Sequence, residues 1–212
     1  MISKVCDIKE IKDIFKNRKK SLIGKYGKSA VMIFLIEENE EIYILFEVRA
    51  YDLDKQPGDI CLPGGGIEKG EKPLEAAIRE SIEELNIQKN DIDIIGEMDY
   101  FISPYGFIIY PFIAKLNRKS IFPSKEEVDH IFKVPLNFFM ENKPIEHEIG
   151  LVPKIKQDYP FELIYNGKNY KFNKGKIKHY FYLYNNYVIW GITATIIKSF
   201  IEIIIDKKNN II

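Results

Sequence analysis

Residues 65–87 read GGIEKGEKPLEAAIRESIEELNI, from Gly65 to Ile87, and this stretch decides the fold. A glycine turn runs into a helix expected from about Pro73 to Leu85, with Pro73 suited to its first turn. At about 100° of rotation per residue, Leu74, Ala77, Ile78, Ser81 and Leu85 share one apolar or small arc that should face a core. Glu80, Glu83 and Glu84 fall on the neighbouring arc, where like charges three and four residues apart repel. A divalent cation would offset that repulsion. Mg²⁺ prefers oxygen ligands and is usually held by a few carboxylates together with substrate phosphates. The stretch has no histidine or cysteine, which argues against zinc. Arg79 can bridge to a neighbouring glutamate, and the glycines at 64–66 let the backbone approach a metal or phosphate without a Cβ in the way.

Outward from this helix, residues 29–37 (SAVMIFLIE) and 41–48 (EIYILFEV) read as two buried strands of a hairpin. A polar loop, 49–57, leads to a short strand from Asp59 to Leu62, stopped by Pro63 and the glycines. After the helix come strands at about 92–101 and 107–115, joined by the turn Ser103-Pro104-Tyr105-Gly106. Residues 126–132 are expected as a short helix, with another helical turn at 136–142. Residues 161–172 (FELIYNGKNYKF) give a hairpin signal, because Asn166-Gly167 suits the positive φ of a type I′ turn. A strand at 179–184 and a final helix at 188–205 close the chain. The apolar stripe of that helix, Ile189, Ile192, Ile196, Ile197, Phe200 and Ile204, reads as core and leaves room for a homodimer contact. The N-terminal residues 7–20 form a short amphipathic helix with a basic tail. Strands and helices mix without strict alternation, so the expected fold is α/β, a mixed sheet sandwiched by helices. Residues 1–212 are read as a single domain with a C-terminal hairpin-plus-helix extension.

Composition narrows the partners. Lys and Arg total 31, as do Asp and Glu, so the net charge is zero and a dedicated nucleic-acid binder is disfavoured. No apolar run approaches the roughly 18 residues that span a bilayer, so no membrane partner is expected. The two cysteines, Cys6 and Cys61, form no C-x-x-C pair and read as free thiols of a reducing compartment, the cytoplasm.

Gly65, Glu71, Arg79, Glu80, Glu83 and Glu84 follow the spacing G, five residues, E, seven residues, R-E, two residues, E-E. At usual residue frequencies, chance would give this pattern with odds on the order of 10⁻⁵. The stretch resembles the Nudix box. It departs mildly in having Ser81 after R-E, where the family has an apolar residue, and Asn86 where the box ends in Gly. The resemblance implies a Nudix-type α/β/α sandwich and Mg²⁺- or Mn²⁺-dependent hydrolysis of a nucleoside diphosphate derivative. By the family's pattern Glu80 and Glu84 would be the primary metal ligands, with Gly65 beside them. Glu83 would be a further ligand or the water-activating base, and Arg79 and Glu71 would support the acids.

The segment Leu45 to Gly65 is similar to the one preceding the box in coenzyme A pyrophosphatases of the superfamily, through Arg49, Ala50, Gly58, Pro63, Gly64 and Gly65. The implied reaction cuts coenzyme A or acyl-CoA into 3′,5′-ADP and (acyl-)4′-phosphopantetheine. Arg49 and Lys55 are the expected substrate cations, and Tyr105 and Phe107 the expected adenine stackers. Glu127 is an additional acid for the metals. Three alternatives stand beside this reading: a Nudix pyrophosphatase for another substrate such as ADP-ribose, a non-catalytic Nudix-fold nucleotide-binding module, and an isoprenoid diphosphate isomerase using Cys61.

Overall fold

Two strands with opposite commitments on their two faces organise the molecule. A computed structural model describes residues 7–118 and 120–209. The first strand, β1 (Gly27–Glu38), pairs antiparallel with β2 (Glu41–Arg49) across a tight turn in which Asn39 and Glu40 both take positive φ. Along β1, Ala30, Met32 and Phe34 turn to one face of the sheet while Ile33 turns to the other. Both sets are buried, so the strand reads as one continuous apolar run.

The sheet extends on both sides of this pair. Beyond β2 lies β8 (Val128–Pro135), while β3 (Ile60–Cys61) pairs with the end of β2 on the side that faces β1. Beyond β1 lies β7 (Phe107–Leu116), parallel to it, then β5 (Ile92–Glu97), with the two-residue β6 (Phe101–Ile102) also on β7. The glycine segment β4 (Gly64–Gly66) adds antiparallel to the start of β1. One parallel pairing among antiparallel ones makes the sheet mixed, as expected.

Helices cover both faces. The short helix α1 (Ile8–Lys16) precedes the sheet, capped by Asp7, and buries none of its residues. The acidic helix α2 (Pro73–Leu85) places Ala76, Ala77 and Leu85 against Met32, Phe34, Leu45 and Phe112. On the opposite face, α3 (Leu136–Glu141) and α4 (Gly191–Asn209) supply Phe139, Ala194, Ile196, Ile197, Phe200 and Ile201 against Ile33, Ile44 and Phe46. The stripe of the last helix is therefore spent on the chain's own core. A second, three-stranded antiparallel sheet is made by β9 (Ile145–Leu151), β10 (Gly175–Tyr184) and β11 (Tyr187–Trp190).

Three expectations are corrected. Residues 126–132 are not helical: from Val128 they pair with β2, where Val128, Val134 and their neighbours fit a half-buried pleated surface. Residues 161–172 form no hairpin. Asn166 and Gly167 do take positive φ, but the flanking residues close into tight turns at 161–163 and 167–169 and have no strand partner. The ladder partner of β10 is instead β9, more than twenty residues upstream. The last helix begins at Gly191 rather than 188, because Val188 and Ile189 belong to β11 and Gly191 turns the chain at φ +63°. Cys6 lies outside the described residues; Cys61 is a free thiol.

Candidate active site

Helix α2 spans the residues its pattern predicts, and each departure from the box has a local explanation. Ser81 is fully buried and donates to the Ala77 carbonyl at 2.7 Å, so its polar atom is satisfied within the helix. Asn86 ends the helix in the left-handed conformation (φ 51°, ψ 44°) and donates its side-chain amide to the Phe122 carbonyl at 2.9 Å. The amide of Ser124 donates to the Glu84 carbonyl at 2.8 Å, tying the following loop to the last turn.

The glycines are required by contact. A Cβ on Gly64 would stand 2.2 Å from the Ala30 carbonyl oxygen, and Gly64 has φ +144°. A Cβ on Gly65 would stand 2.4 Å from the Glu80 carboxylate. The side-chain-free backbone of β4 is thus wedged between β1 and the acidic face of α2. From that position the Gly64 amide donates to Glu84 Oε2 at 2.8 Å.

Arg79 binds the acids together. Its Nε and Nη2 donate to the two oxygens of Glu71 at 3.0 and 3.1 Å. Its Nη1 donates to Glu80 at 2.8 Å and to Glu83 at 3.4 Å, and Nη2 also reaches the Gly66 carbonyl at 3.0 Å. A planar fork with five donors can hold this many partners; a lysine cannot. Glu71 also accepts from the Glu68 amide, and these bonds hold its carboxyl below the usual range.

Sequence reasoning missed one acid, Glu47. It sits on β2 facing α2, 1% exposed, and accepts from the Cys61 Sγ–H at 3.2 Å. A glutamate in the middle of the apolar run Ile44–Val48 was the available signal. Burial raises Glu47 to about 7, against the lowering effects of Cys61 and Arg49; the charges of Glu127 and Glu80 push it further up. Burial, then the charge of Glu47, raises Glu84 to about 9, although the Gly64 amide opposes this. Glu80 is raised by burial and restrained by Arg79. The Cys61 thiol is pushed well up by burial and by Glu47. Glu47, Glu80, Glu84 and Glu127 therefore share one field of negative potential. Glu83 lies at its rim, more than half exposed.

The expected substrate residues divide. Arg49 follows Glu47 by two positions, across a bulge in β2, and its buried Nε has no hydrogen-bond partner among the described residues. Lys55 is exposed on the loop that follows. Tyr105 is exposed in its turn, whereas Phe107 packs into the core cluster on the α4 face, away from the acids. Glu127 joins the acid field just before β8 rather than at the start of a helix. Among the described residues, no three histidine, cysteine or acidic side chains are already gathered as a metal cage.

A family model described as NUDIX domain matches residues 27–150. The Caenorhabditis elegans protein named peroxisomal coenzyme A diphosphatase ndx-8 is 32% identical over 166 residues, covering 76% of this chain and 70% of that one. The Mus musculus protein named peroxisomal coenzyme A diphosphatase NUDT7 is 26% identical over 116 residues; the match covers 54% of this chain and 49% of that one, about half its length. Among solved structures, a MutT/nudix family protein from Enterococcus faecalis aligns over 94% of this chain and 70% of that chain, at 15% identity and a TM-score of 0.49.

Proposed function

Since the chain belongs to the NUDIX domain family, we propose that it is a divalent-metal-dependent pyrophosphohydrolase that cuts the diphosphate of coenzyme A or acyl-CoA. The products are 3′,5′-ADP and 4′-phosphopantetheine or its acyl form. The observation that carries the chemistry is the buried carboxylate group on α2 and β2, set against a glycine strand and braced by Arg79. The substrate rests on the two relatives named as coenzyme A diphosphatases and on the segment Arg49–Gly65.

The donor set fits a hard cation. Glu84 and Glu47 are almost fully buried, and the second oxygen of Glu47 has no hydrogen-bond partner among the described residues. Burial and mutual repulsion push both toward the protonated form, an arrangement that a bound cation would relieve. Glu80 and Glu84 would hold Mg²⁺ or Mn²⁺, with Glu83, Glu47, Glu127 and the Gly65 backbone around them. The cation, when bound, neutralises charge on the diphosphate oxygens.

The protein's own groups do the rest. Arg79 fixes the rotamers of Glu71, Glu80 and Glu83 so that the carboxylates do not splay. The Gly64 amide orients Glu84. Glu83, exposed at the rim, takes the proton from the attacking water. The water oxygen bonds to one phosphorus, the bond from that phosphorus to the bridging oxygen breaks, and the bridging oxygen leaves with the other phosphate. Arg49 and Lys55 receive the remaining phosphate charge. The second sheet and α4 belong to the same domain, a reading supported by the shared cluster of Ile33, Ile44, Ile196 and Ile197. No helix among the described residues is long and apolar enough to cross a membrane; the cytoplasmic reading rests on the cysteine usage.

The test is a substrate panel. Purified protein with Mg²⁺ or Mn²⁺ should convert coenzyme A to the two products, identified by mass spectrometry, faster than it converts ADP-ribose. Intact coenzyme A beside cleaved ADP-ribose would transfer the proposal to the other substrate. No cleavage of any diphosphate would leave a binding module.

A further inference from the structure

A cleft of about 530 Å³ opens on the α4 face of the sheet, opposite the carboxylates. The strand alternation fixes this placement. Glu47 pairs with Cys61 and Ile131, and all three face α2; Val48 pairs with Ile60 and His130, and these face the cleft. The acid field and the cleft therefore sit back to back across β2 and β3, where that ladder ends. The outer wall comes from β10 and β11, beyond the residues 27–150 that the family model matches.

The walls are aromatic and fixed. Tyr187 lies flat on Phe132, with ring centres 3.7 Å apart and planes 2° apart. Its hydroxyl and His130 Nε2 are 3.0 Å apart, and His130 Nδ1 is held 2.6 Å from Asp129. Trp190 is parallel to Phe181 across the β10–β11 ladder and still 41% exposed. Tyr51 lies over Gly58, where a Cβ would stand 2.7 Å from the ring. The polar lining is equally specific. Asp59 is fixed through its backbone, which bonds to Arg49 and Gln56, and its carboxylate has no salt-bridge partner among the described residues. Asn186, in the turn between β10 and β11, also lines the cleft. Among the described residues, no lysine or arginine lines the cleft.

The geometry points to this cleft as the subsite for the uncharged nitrogen heterocycle of the substrate, a ring of purine size and edge chemistry; this rests on the nucleotide-hydrolase reading above. A phosphate would meet the Asp59 carboxylate with no cation to offset it. An acyl or pantetheine chain would strip water from Asp59 and Asn186 without replacing every hydrogen bond. A flat base stacks on Trp190 and Tyr51, gives its amino hydrogens to Asp59, and meets both donor and acceptor on Asn186. The β2–β3 ladder ends at Arg49 and Ile60, so a nucleotide can lie across this end, leaving its diphosphate on the Glu47 face and its base on the Val48 face.

Trp190 is the only tryptophan in the chain, so its fluorescence reports the cleft directly. With metal removed by chelator, the full-length protein is titrated separately with adenosine and with pantetheine, the two phosphate-free halves. Adenosine should quench Trp190 emission saturably and pantetheine should not. Tyr51→Ala and Asn186→Ala, both at exposed positions, should each weaken adenosine binding about tenfold and raise KM while leaving kcat unchanged. Quenching by pantetheine alone, no quenching by either, or variants with unchanged adenosine affinity would each overturn the assignment. Adenosine binding without hydrolysis of any diphosphate would retain the subsite and reject the proposed reaction. Coenzyme A hydrolysis without adenosine quenching would do the reverse.

Discussion

Glu47 and Val48 are neighbours in sequence and look out on two different environments. On the α2 face, the strand buries a carboxylate beside other carboxylates, and the packing there is subordinate to charge. On the α4 face, the same strand buries Ile44, Phe46 and Val48 among aromatic and branched aliphatic side chains. The first face holds its groups in a conformation they would not choose alone, with Glu47 and Glu84 pushed toward protonation. The second is stabilised simply by removing apolar surface from water. Replacing a buried acid on the first face should thus be read out as chemistry, and replacing a buried apolar side chain on the second as stability.

The sharpest way to break this contrast is Glu84→Gln. The amide keeps the shape and can still accept from Gly64, so the melting temperature should hold or rise while turnover falls on the order of 10³-fold. Steady-state kinetics beside a thermal melt checks both; a large loss of stability would mean that the acid also holds up the fold. Phe200→Ala is the mirror image. It should cost about 3–5 kcal/mol in denaturant unfolding, with kcat per folded molecule unchanged. Next comes Arg79→Lys, which keeps the charge but loses the fork shared by Glu71, Glu80 and Glu83. Metal affinity or turnover should drop roughly 10–100-fold, the scale for groups that orient ligands, as measured by metal titration of activity. The smallest effect belongs to Asn86→Gly. The residue already has φ 51°, so glycine relieves backbone strain but loses the bond to Phe122. The unfolding free energy should move by less than about 1 kcal/mol, with no change in turnover.

What the sequence disclosed follows the same division. Helix α2 was legible to the residue because its signals are local: Pro73 at its start, Asn86 at its end, and acids one turn apart between them. Its partners Gly64 and Gly65 were legible as glycines, though only the structure shows that one abuts the Ala30 carbonyl and the other the Glu80 carboxylate. Glu47 was missed because the strand read as buried without any sign that its Glu47 face would meet the acidic helix. Residues 161–172 misled for a related reason. Asn166-Gly167 sets a turn, but a turn does not supply a ladder partner, and β10 found its partner in Ile145–Leu151. Val128–Pro135 was likewise decided by the open edge of β2 rather than by its own propensity.

The order of pairing around β1 has a kinetic consequence. Its partner β2 is reached through a two-residue turn, a closure of microseconds. Its other neighbour, β7, joins in parallel, with Gly27 beside Phe107 and about 80 residues of chain between them. That closure must wait, since distant contacts give nothing back until the intervening loop is drawn in. A chain emerging from the ribosome would thus carry the β1–β2 hairpin early, with one edge of β1 open to pair with whatever strand is near. The glycine segment Gly64–Gly66, which pairs with this same strand, is synthesised well before residue 107. The acid-bearing corner of the molecule is in this sense the part that can be assembled first, and the remainder of the sheet closes around it.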